Sequence, residues 1–310
     1  MRILSLFDGM ACGMIAMQLA GVEVESYDAY EIDKYAIKTA QHNFPMIEEH
    51  GDVFKADFTQ YEGVDFLVGG SPCTYWSIAQ TKNRETVASG MGWELFSQYV
   101  RALKEAKPKY FIYENNKSMS KQIRASIDDT FGFEAVLINS ALVSAQNRQR
   151  LYWVGRRNED GTYSKVNVEQ PEDRGILLKD ALDSGTVDRD KSLVLTARYA
   201  GFDGSQSYLC RRYFGKSFGQ AAFDGDIGGM KSKWEENAYF ESDEKNIRQL
   251  TVSECKRLQT VPEWYDFSVV SNSQAYKMLG NGWTCEVIAH LIRSCLNDDG
   301  SQLPGQISLF

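Results

Sequence analysis

Residues 3–19 read ILSLFDGMACGMIAMQL, an apolar run that passes through a turn into a second apolar segment. The run from Ile3 to Phe7 predicts a buried strand, Asp8-Gly9 predicts a turn, and the residues from Ala11 to Leu19 predict a helix. Glycine in such a turn lets the backbone approach a ligand, and the start of the helix offers N–H groups to an anion. The spacing is not GxGxxG, so the turn alone does not indicate a dinucleotide site.

The alternation of strand and helix continues through the first half of the chain. Strands are predicted at Val22 to Ala29, Val64 to Val68, Tyr110 to Tyr113, Phe133 to Asn139 and Leu151 to Val154. Helices are predicted at Lys34 to His42, Trp93 to Leu103 and Ser120 to Thr130. This order predicts an α/β fold around a mostly parallel sheet, whose ligands gather at the carboxyl ends of the strands.

The composition changes after Arg157. From 158 to 246 the chain is polar and rich in glycine and aspartate, which indicates a small, loop-rich domain. A regular pattern resumes at Ile247: Thr251 and Glu254 predict a capping box, and a last helix is predicted from Thr284 to Leu296. We therefore predict a main domain at 1–157, an inserted domain at 158–246 and a return to the main domain at 247–310.

The charge of the chain is unevenly distributed. The 310 residues carry a formal net charge of −8, which taken alone argues against a nucleic-acid partner. Residues 1–65 hold 4 basic and 12 acidic side chains, so the whole excess lies there. Residues 82–124 hold 9 basic and 4 acidic side chains, and residues 189–216 hold 6 and 2. These basic patches are compatible with a polyanion, although charge counts alone favour an ordinary solvated surface.

Six cysteines form no CxxC pair, which suits a reducing cytosol. Three scattered histidines predict neither a metal site nor a histidine-based triad. The N-terminus enters a strand pattern directly, and no apolar stretch is long enough for a membrane span. We therefore expect a cytoplasmic protein with no metal and no membrane contact.

The segment Gly69-Gly70-Ser71-Pro72-Cys73 places a cysteine directly after a buried strand. A rigid, exposed position suits a nucleophile, whereas a buried structural cysteine is the commoner case. Glu114-Asn115 ends the neighbouring predicted strand and should reach the same edge, where a carboxyl group near a thiol can hold or protonate a substrate. Arg148 and Arg150 share a face on an extended chain, which suits a phosphate or a polar base edge, while two arginines on a surface strand are the simpler alternative.

Taken in order, these motifs resemble the cytosine-C5 DNA methyltransferases of bacteria and bacteriophages. The resemblance rests on Phe7-Asp8-Gly9 with Gly13, Pro72-Cys73 with Ser77, Glu114-Asn115, Gln146-x-Arg148-x-Arg150, Arg248-x-Leu250-Thr251-x-x-Glu254-x-x-Arg257-Leu258-Gln259 and Gly280-Asn281-Gly282. It covers about 1–157 and 247–296. The sequence departs from the family pattern at Thr74, Tyr75-Trp76 and Asn116.

The resemblance implies a Rossmann-like, S-adenosylmethionine-dependent sheet with a target recognition domain at 158–246. It implies that a cytosine is flipped out of duplex DNA, that Cys73 attacks its C6, and that the methyl group goes from S-adenosylmethionine to C5. Glu114 would contact N3 and the exocyclic amine, Arg150 the base O2, and Arg148 the cysteine loop or a phosphate. Water would accept the C5 proton.

The resemblance also implies binding residues. Those expected to bind S-adenosylmethionine are Phe7, Gly9, Gly13, Glu31, Ile32, Asp52 and Asn281. Those expected to bind DNA are Ser77, Lys82, Arg84, Arg198, Arg211 and Arg212. The expected partner is double-stranded DNA bound by a monomer, and a cognate restriction endonuclease is one option. The target sequence and the biological role are left open.

Three alternatives remain at this level. A tRNA methyltransferase of the same fold is disfavoured because the Cys-Phe-Thr tripeptide of that branch is absent. A non-catalytic DNA-binding relative is disfavoured because Cys73, Glu114 and Arg150 are intact. A dinucleotide-dependent oxidoreductase is disfavoured by the missing GxGxxG and by the Pro-Cys loop.

Overall fold

The computed structural model describes residues 1–78, 84–185, 187, 189–197, 221–223 and 247–298. Its first part alternates strands and helices: β1 (Arg2–Leu6), α1 (Cys12–Leu19), β2 (Ser26–Tyr30), α2 (Lys34–Asn43) and β3 (Ile47–Glu49). All three strands are parallel, with β1 paired to β2 and β2 paired to β3. The predicted first strand and both helices are confirmed, while the second strand begins at Ser26 rather than Val22.

The alternation continues with β4 (Phe66–Gly69), α3 (Met91–Ala106), β5 (Tyr110–Asn116), α4 (Lys121–Phe131) and β6 (Val136–Asn139). Strand β4 lies parallel to both β1 and β5. The predicted helix from Ser120 is present as α4, which begins one residue later because Ser120 caps it: the Ser120 hydroxyl accepts a hydrogen bond from the Ile123 backbone N–H at 3.1 Å.

The sheet is completed by β7 (Gln149–Arg157), which runs antiparallel to β5, and by β8 (Tyr163–Lys165), which pairs antiparallel with β7. Its strand order is β3-β2-β1-β4-β5-β7-β6, with β8 beside β7. The carboxyl ends of β1, β2, β4 and β5 therefore meet at one edge, as the sequence predicted.

An aromatic core holds α3 and α4 on one face of this sheet. Phe96 of α3 packs edge-on against Phe131 of α4, with ring centroids 5.6 Å apart. Phe131 also lies 4.9 Å from Phe111 of β5, centroid to centroid. Burial of such rings fixes α3, and α3 in turn fixes the loop that precedes it.

The chain divides into two compact units. Unit 1 comprises Met1–Ile138, Gln149–Pro171 and Cys285–Phe310, and unit 2 comprises Asn139–Arg148 and Glu172–Thr284. Packing thus divides the chain at other points than the predicted boundaries after 157 and 246. The predicted boundaries separate segments by function and not by packing, so they stay a prediction.

Unit 1 also contains α7 (Cys285–Asp298), which packs against α1. Unit 2 contains β9 (Ala221–Phe223) paired antiparallel with β10 (Ile247–Gln249), then α5 (Val252–Leu258) and α6 (Asn272–Asn281). The predicted capping box of α5 is confirmed: Thr251 Oγ1 accepts from the Glu254 N–H, and the Glu254 carboxylate accepts from the Thr251 N–H. Among the described residues, no helix is long and apolar enough to cross a membrane.

Candidate active site

The nucleophile candidate lies at the carboxyl edge of the sheet. Cys73 begins a short 3-10 helix, Cys73–Tyr75, four residues after the end of β4. Among the cysteines that the structure describes, Cys73 is exposed and the other four are buried. The exposed position agrees with a reactive thiol and not with a structural one. We call residues 71–77 the Cys73 turn.

Buried polar contacts join the start of the Cys73 turn to β5. The Ser71 hydroxyl lies 2.6 Å from the Tyr113 hydroxyl, and Asn115 Nδ2 donates to the Ser71 carbonyl at 3.2 Å. Tyr113 and Asn115 flank Glu114 in β5, so the cysteine and the glutamate are carried by segments that are bonded to each other.

Glu114 and Arg150 form an ion pair. They are diagonal neighbours on one face of the antiparallel β5–β7 pair, where Glu114 stands opposite Tyr152 and Asn116 opposite Arg150. Arg150 Nε lies 3.1 Å from Glu114 Oε1, and the side chains are 16% and 12% exposed. Solvent therefore screens the pair weakly, and the arginine holds the carboxylate at the sheet edge.

Arg148 has a different environment from Arg150. It belongs to unit 2 and is 4% exposed. Its guanidinium donates to the carbonyls of Leu195 at 3.0 Å, Gly280 at 3.2 Å and Gly282 at 2.8 Å. These bonds join three segments of unit 2, so the guanidinium stabilises this unit. Its expected role at the cysteine loop or a phosphate stays a prediction.

The turn after β1 is shaped by Glu31, which directly follows β2. One carboxylate oxygen of Glu31 accepts from the Gly9 N–H at 2.8 Å, and the other accepts from the N–H groups of Ile32 and Asp33. Gly9 has φ +62° and open space where a Cβ would stand. Phe7 and Ala11 also adopt positive φ, which costs energy for side-chain-bearing residues. The turn is thus strained, has open space beside Gly9, and is fixed by a hydrogen bond to the Glu31 carboxylate.

Gly13 serves packing. A Cβ at this position would lie 2.5 Å from the Tyr27 hydroxyl and 3.3 Å from Val68 Cγ2. The missing side chain of Gly13 therefore lets α1 sit close to the sheet. Tyr27 fills the space that a side chain would take, and contact between the Gly13 backbone and the cofactor stays a prediction.

The remaining predicted cofactor residues, Ile32, Asp52 and Asn281, lie on separate segments of the chain. Asp52 caps a 3-10 turn by accepting from the Phe54 N–H at 3.0 Å, and Ile32 is 77% exposed. Phe54, which the sequence did not single out, is 46% exposed. Asn281 is the last residue of α6, in unit 2.

Two acids near this edge were also missed. Asp8 accepts hydrogen bonds from Ser5 and Tyr27 through Oδ1, while its buried Oδ2 has no hydrogen-bond partner among the described residues. Burial raises the pKa of Asp8 to about 6. Burial, and then the charges of Asp8 and Glu31, raise the pKa of Glu49 to about 8. An alternating apolar and polar pattern could have identified Glu49 as an inward-facing strand residue. The strand β3 has only three residues, which is too short to show such a pattern.

The predicted DNA contacts are only partly described. Arg84 donates through Nε to the Trp76 carbonyl at 3.1 Å and through Nη2 to the Ser118 carbonyl at 2.6 Å. Ser77 closes the Cys73 turn, its N–H bonding the Cys73 carbonyl at 2.9 Å. Lys82, Arg198, Arg211 and Arg212 lie outside the described residues.

One group of side chains has donor atoms close enough for a cation. Ligand atoms of Asp28, Glu48 and His50 lie within 4.8 Å of one another in the part of the chain that the structure describes. His50 Nε2 lies 2.8 Å from Asp28 Oδ1, and the His50 ring is tilted by 32° against Tyr30 with centroids 5.2 Å apart. A hydrogen bond between His50 and Asp28 accounts for this arrangement.

A family profile described as C-5 cytosine-specific DNA methylase matches residues 1–297. The chain belongs to this family. C5 DNA methylases of the family take the methyl group from S-adenosylmethionine. The strained turn, Glu31 and the Cys73 turn all lie at the carboxyl edge of the sheet, where parallel α/β sheets bind their ligands.

Two methylase relatives illustrate the match. The orphan methyltransferase M.Rho11sI of Bacillus phage rho11s is 37% identical over 171 residues, covering 51% of this chain and 33% of the phage protein. The type II methyltransferase M1.ScrFI of Lactococcus lactis subsp. cremoris is 32% identical over 276 residues, covering 84% of this chain and 69% of that protein. The chain thus spans a third of the phage relative's length and most of the bacterial one.

Solved methylase structures agree on the fold. The S. pombe Dnmt2 methyltransferase matches with a TM-score of 0.70 at 16% identity, covering 96% of this chain and 99% of that one. The predicted Rossmann-like methyltransferase fold is thereby confirmed. At this identity the likeness concerns architecture and not the nucleic acid that is methylated.

Proposed function

We propose that this chain is a DNA cytosine-5 methyltransferase that flips its target base out of the duplex. The observation that carries the proposal is the exposed Cys73 on a turn bonded to β5, the strand of Glu114, whose carboxylate pairs with Arg150 of β7. A thiol, a carboxylate and a guanidinium are the three groups that attack on a cytosine ring requires. The family membership of residues 1–297 supports the same reading.

The chemistry follows from the poor nucleophilicity of cytosine C5. The Cys73 thiolate adds to C6, forming a C–S bond and moving electron density to C5. Glu114 places a proton at N3 and contacts the exocyclic amine, so the proton offsets the negative charge that the thiolate brings to the ring. Arg150 contacts O2 and holds Glu114. After methyl transfer, water takes the C5 proton. The electrons of that C–H bond restore the ring double bond and expel the thiolate.

S-Adenosylmethionine supplies an electrophilic methyl group on a positively charged sulfur. The open turn at Gly9 offers room for it. Asp8 Oδ2 and both carboxylate oxygens of Glu49 have no hydrogen-bond partner among the described residues. A cationic ligand beside them and Glu31 would lower the raised pKa of Glu49 and favour its charged form. The exposed apolar side chains of Ile32 and Phe54 suit an adenine ring. We assign the cofactor to this edge, with Asp52 and Asn281 as further contacts.

We further propose that the segment 158–246 recognises the target sequence. Its basic residues, among them Arg198, Arg211 and Arg212, suit phosphates and base edges in a groove. The remaining expectations are a cytoplasmic monomer that acts on double-stranded DNA, with a cognate restriction endonuclease as one option. Base flipping is required because C6 and N3 of a stacked cytosine cannot be reached by Cys73 and Glu114.

The test is methyl transfer from labelled S-adenosylmethionine by the purified chain. Duplex DNA of mixed sequence, total tRNA and a reaction without nucleic acid are compared. We expect label in DNA, located at cytosine C5 by bisulfite sequencing. Label in tRNA with none in DNA would favour the RNA-modifying alternative, and label in neither would overturn the proposal.

A further inference from the structure

Glu85 contacts the Cys73 turn from outside it. A carboxylate oxygen of Glu85 accepts a hydrogen bond from Trp76 Nε1 at 3.0 Å, and the Glu85 N–H donates to the Tyr75 carbonyl at 2.8 Å. The Trp76 side chain is completely buried. A buried indole N–H without an acceptor is costly, so this bond defines where the end of the turn can lie.

Gly92 completes the contact. Its N–H, in the first turn of α3, lies 3.2 Å from both carboxylate oxygens of Glu85, where a negative charge is favoured. A Cβ at position 92 would stand 2.5 Å from Trp76 Nε1 and 2.6 Å from Glu85 Oε2. Only glycine therefore allows α3, Glu85 and the indole to meet.

Arg84 joins the same turn to the segment after β5. Its guanidinium bridges the carbonyls of Trp76 and Ser118. The Ser118 hydroxyl donates to Asn116 Oδ1 at 2.6 Å and accepts from the Ile78 N–H at 3.3 Å. The end of the Cys73 turn is thus bonded to the residues that follow Glu114.

The start of the turn is bonded to the same strand. Asn115 Nδ2 donates to the Ser71 carbonyl, and Asn115 Oδ1 accepts from the Asn116 N–H at 2.8 Å. Cys73 therefore lies between two attachments to the end of β5, one through Ser71 and one through Trp76 and Arg84.

We infer that Glu85 and Arg84 are positioning residues that hold the Cys73 turn, through Trp76, in register with Glu114 on β5. The inference rests on the proposed function, because it assigns the contacts a task in the attack of Cys73. Misplacement of a reacting group by about 1 Å can cost ~100-fold in rate, so such a support has a measurable effect.

The arrangement also accounts for two departures from the family pattern. Trp76 is the residue that Glu85 and Arg84 both contact, and Asn116 is the acceptor that holds Ser118. The two departures belong to one network of contacts. The structure offers no comparable explanation for Thr74.

The test compares Glu85→Ala with Glu94→Ala, a matched control on an exposed glutamate of α3. We expect Glu85→Ala to lower kcat by ~10- to 100-fold. The KM for S-adenosylmethionine should be unchanged, because the cofactor is assigned to the turn at Gly9 and not to the Cys73 turn. Trp76→Phe, which keeps the ring and loses the donor, should lower kcat similarly. The double variant should be no worse than either single variant, and Glu85→Gln, which keeps an acceptor oxygen, should be intermediate.

Equal kcat for Glu85→Ala and Glu94→Ala would overturn the inference, as would additive effects of Trp76→Phe and Glu85→Ala. A readout independent of methyl transfer is alkylation of Cys73 by iodoacetamide, followed by mass spectrometry of the Cys73 peptide. A changed rate in Glu85→Ala and an unchanged rate in Glu94→Ala support the positioning role even if the wild-type chain methylates no DNA. Unchanged alkylation in both variants would overturn it.

Discussion

Arg150 Nε lies 3.1 Å from Glu114 Oε1, and both side chains are mostly buried. The arginine is on β7 and the glutamate on β5, so their meeting depends on the antiparallel addition of β7 to an otherwise parallel group of strands. This pair gives the sheet edge a fixed carboxylate next to the Cys73 turn.

Arg150→Ala should lower kcat by ~100- to 1000-fold, because the base O2 loses its donor and Glu114 loses the cation that holds it. Arg156→Ala is the matched control: Arg156 lies on the same strand and pairs with Asp298 at 2.9 Å, away from the sheet edge. Steady-state methylation of DNA measures the effect. Comparable activity of the two variants would contradict the assigned role of Arg150.

Arg148→Met should lower the free energy of unfolding by ~3 kcal/mol, because the buried carbonyls of Leu195, Gly280 and Gly282 lose their donor. Arg174→Met, on an exposed arginine of the same unit, should change it little. Urea unfolding followed by circular dichroism measures both. If Arg148→Met unfolds like the wild type and loses only activity, the arginine acts at the cysteine loop or a phosphate, as first expected.

Gly13→Ala should destabilise the protein by ~1 to 3 kcal/mol, because the new methyl group overlaps the Tyr27 hydroxyl. Tyr27→Phe removes the overlapping oxygen, so the double variant should be more stable than the sum of the two single effects predicts. Thermal unfolding of all four proteins gives the coupling. Strict additivity would show that the two residues do not compete for the space.

Stability should fall with rising pH because of Glu49. Its pKa is raised from 4.5 to about 8, so the folded protein prefers the protonated form. The contribution is fully present below pH 4.5 and is lost as pH rises through about 8. Glu49→Gln should therefore stabilise the protein at pH 9 by at least ~1 kcal/mol and leave it unchanged near pH 4.

The control for Glu49 is Glu48→Gln, on the exposed neighbour in β3. Thermal unfolding midpoints measured across this pH range should separate the two variants. Parallel curves for wild type and Glu49→Gln would show that the pKa of Glu49 is the same in the folded and the unfolded protein.

The elements with strong local signals were predictable from the sequence. The apolar run at β1, the Ser120 cap and the Thr251–Glu254 capping box depend on neighbouring residues, and the structure has all three. The loop around Cys73 was predictable for the same reason, since Gly-Gly and Ser-Pro end a strand wherever they follow one.

The contacts that the sequence could not indicate join residues far apart in the chain. Arg148 bonds carbonyls 47, 132 and 134 positions away, so nothing near it distinguishes a structural guanidinium from a phosphate-binding one. The sequence does not show whether the space left by the missing side chain of Gly13 is occupied by a ligand or by Tyr27. Glu49 becomes exceptional only because folding brings Asp8 and Glu31 close to it.

The account depends most on Cys73 as the nucleophile. The direct measurement is covalent trapping on duplex DNA that contains 5-fluorocytosine, with S-adenosylmethionine present, followed by mass spectrometry of the linked peptide. Fluorine cannot leave C5 as a proton does, so the thioether at C6 should persist. We predict a complex linked through Cys73 that is absent in Cys73→Ala, while that variant still binds S-adenosylmethionine. Methylation of normal DNA by Cys73→Ala, or a link through another residue, would contradict the account.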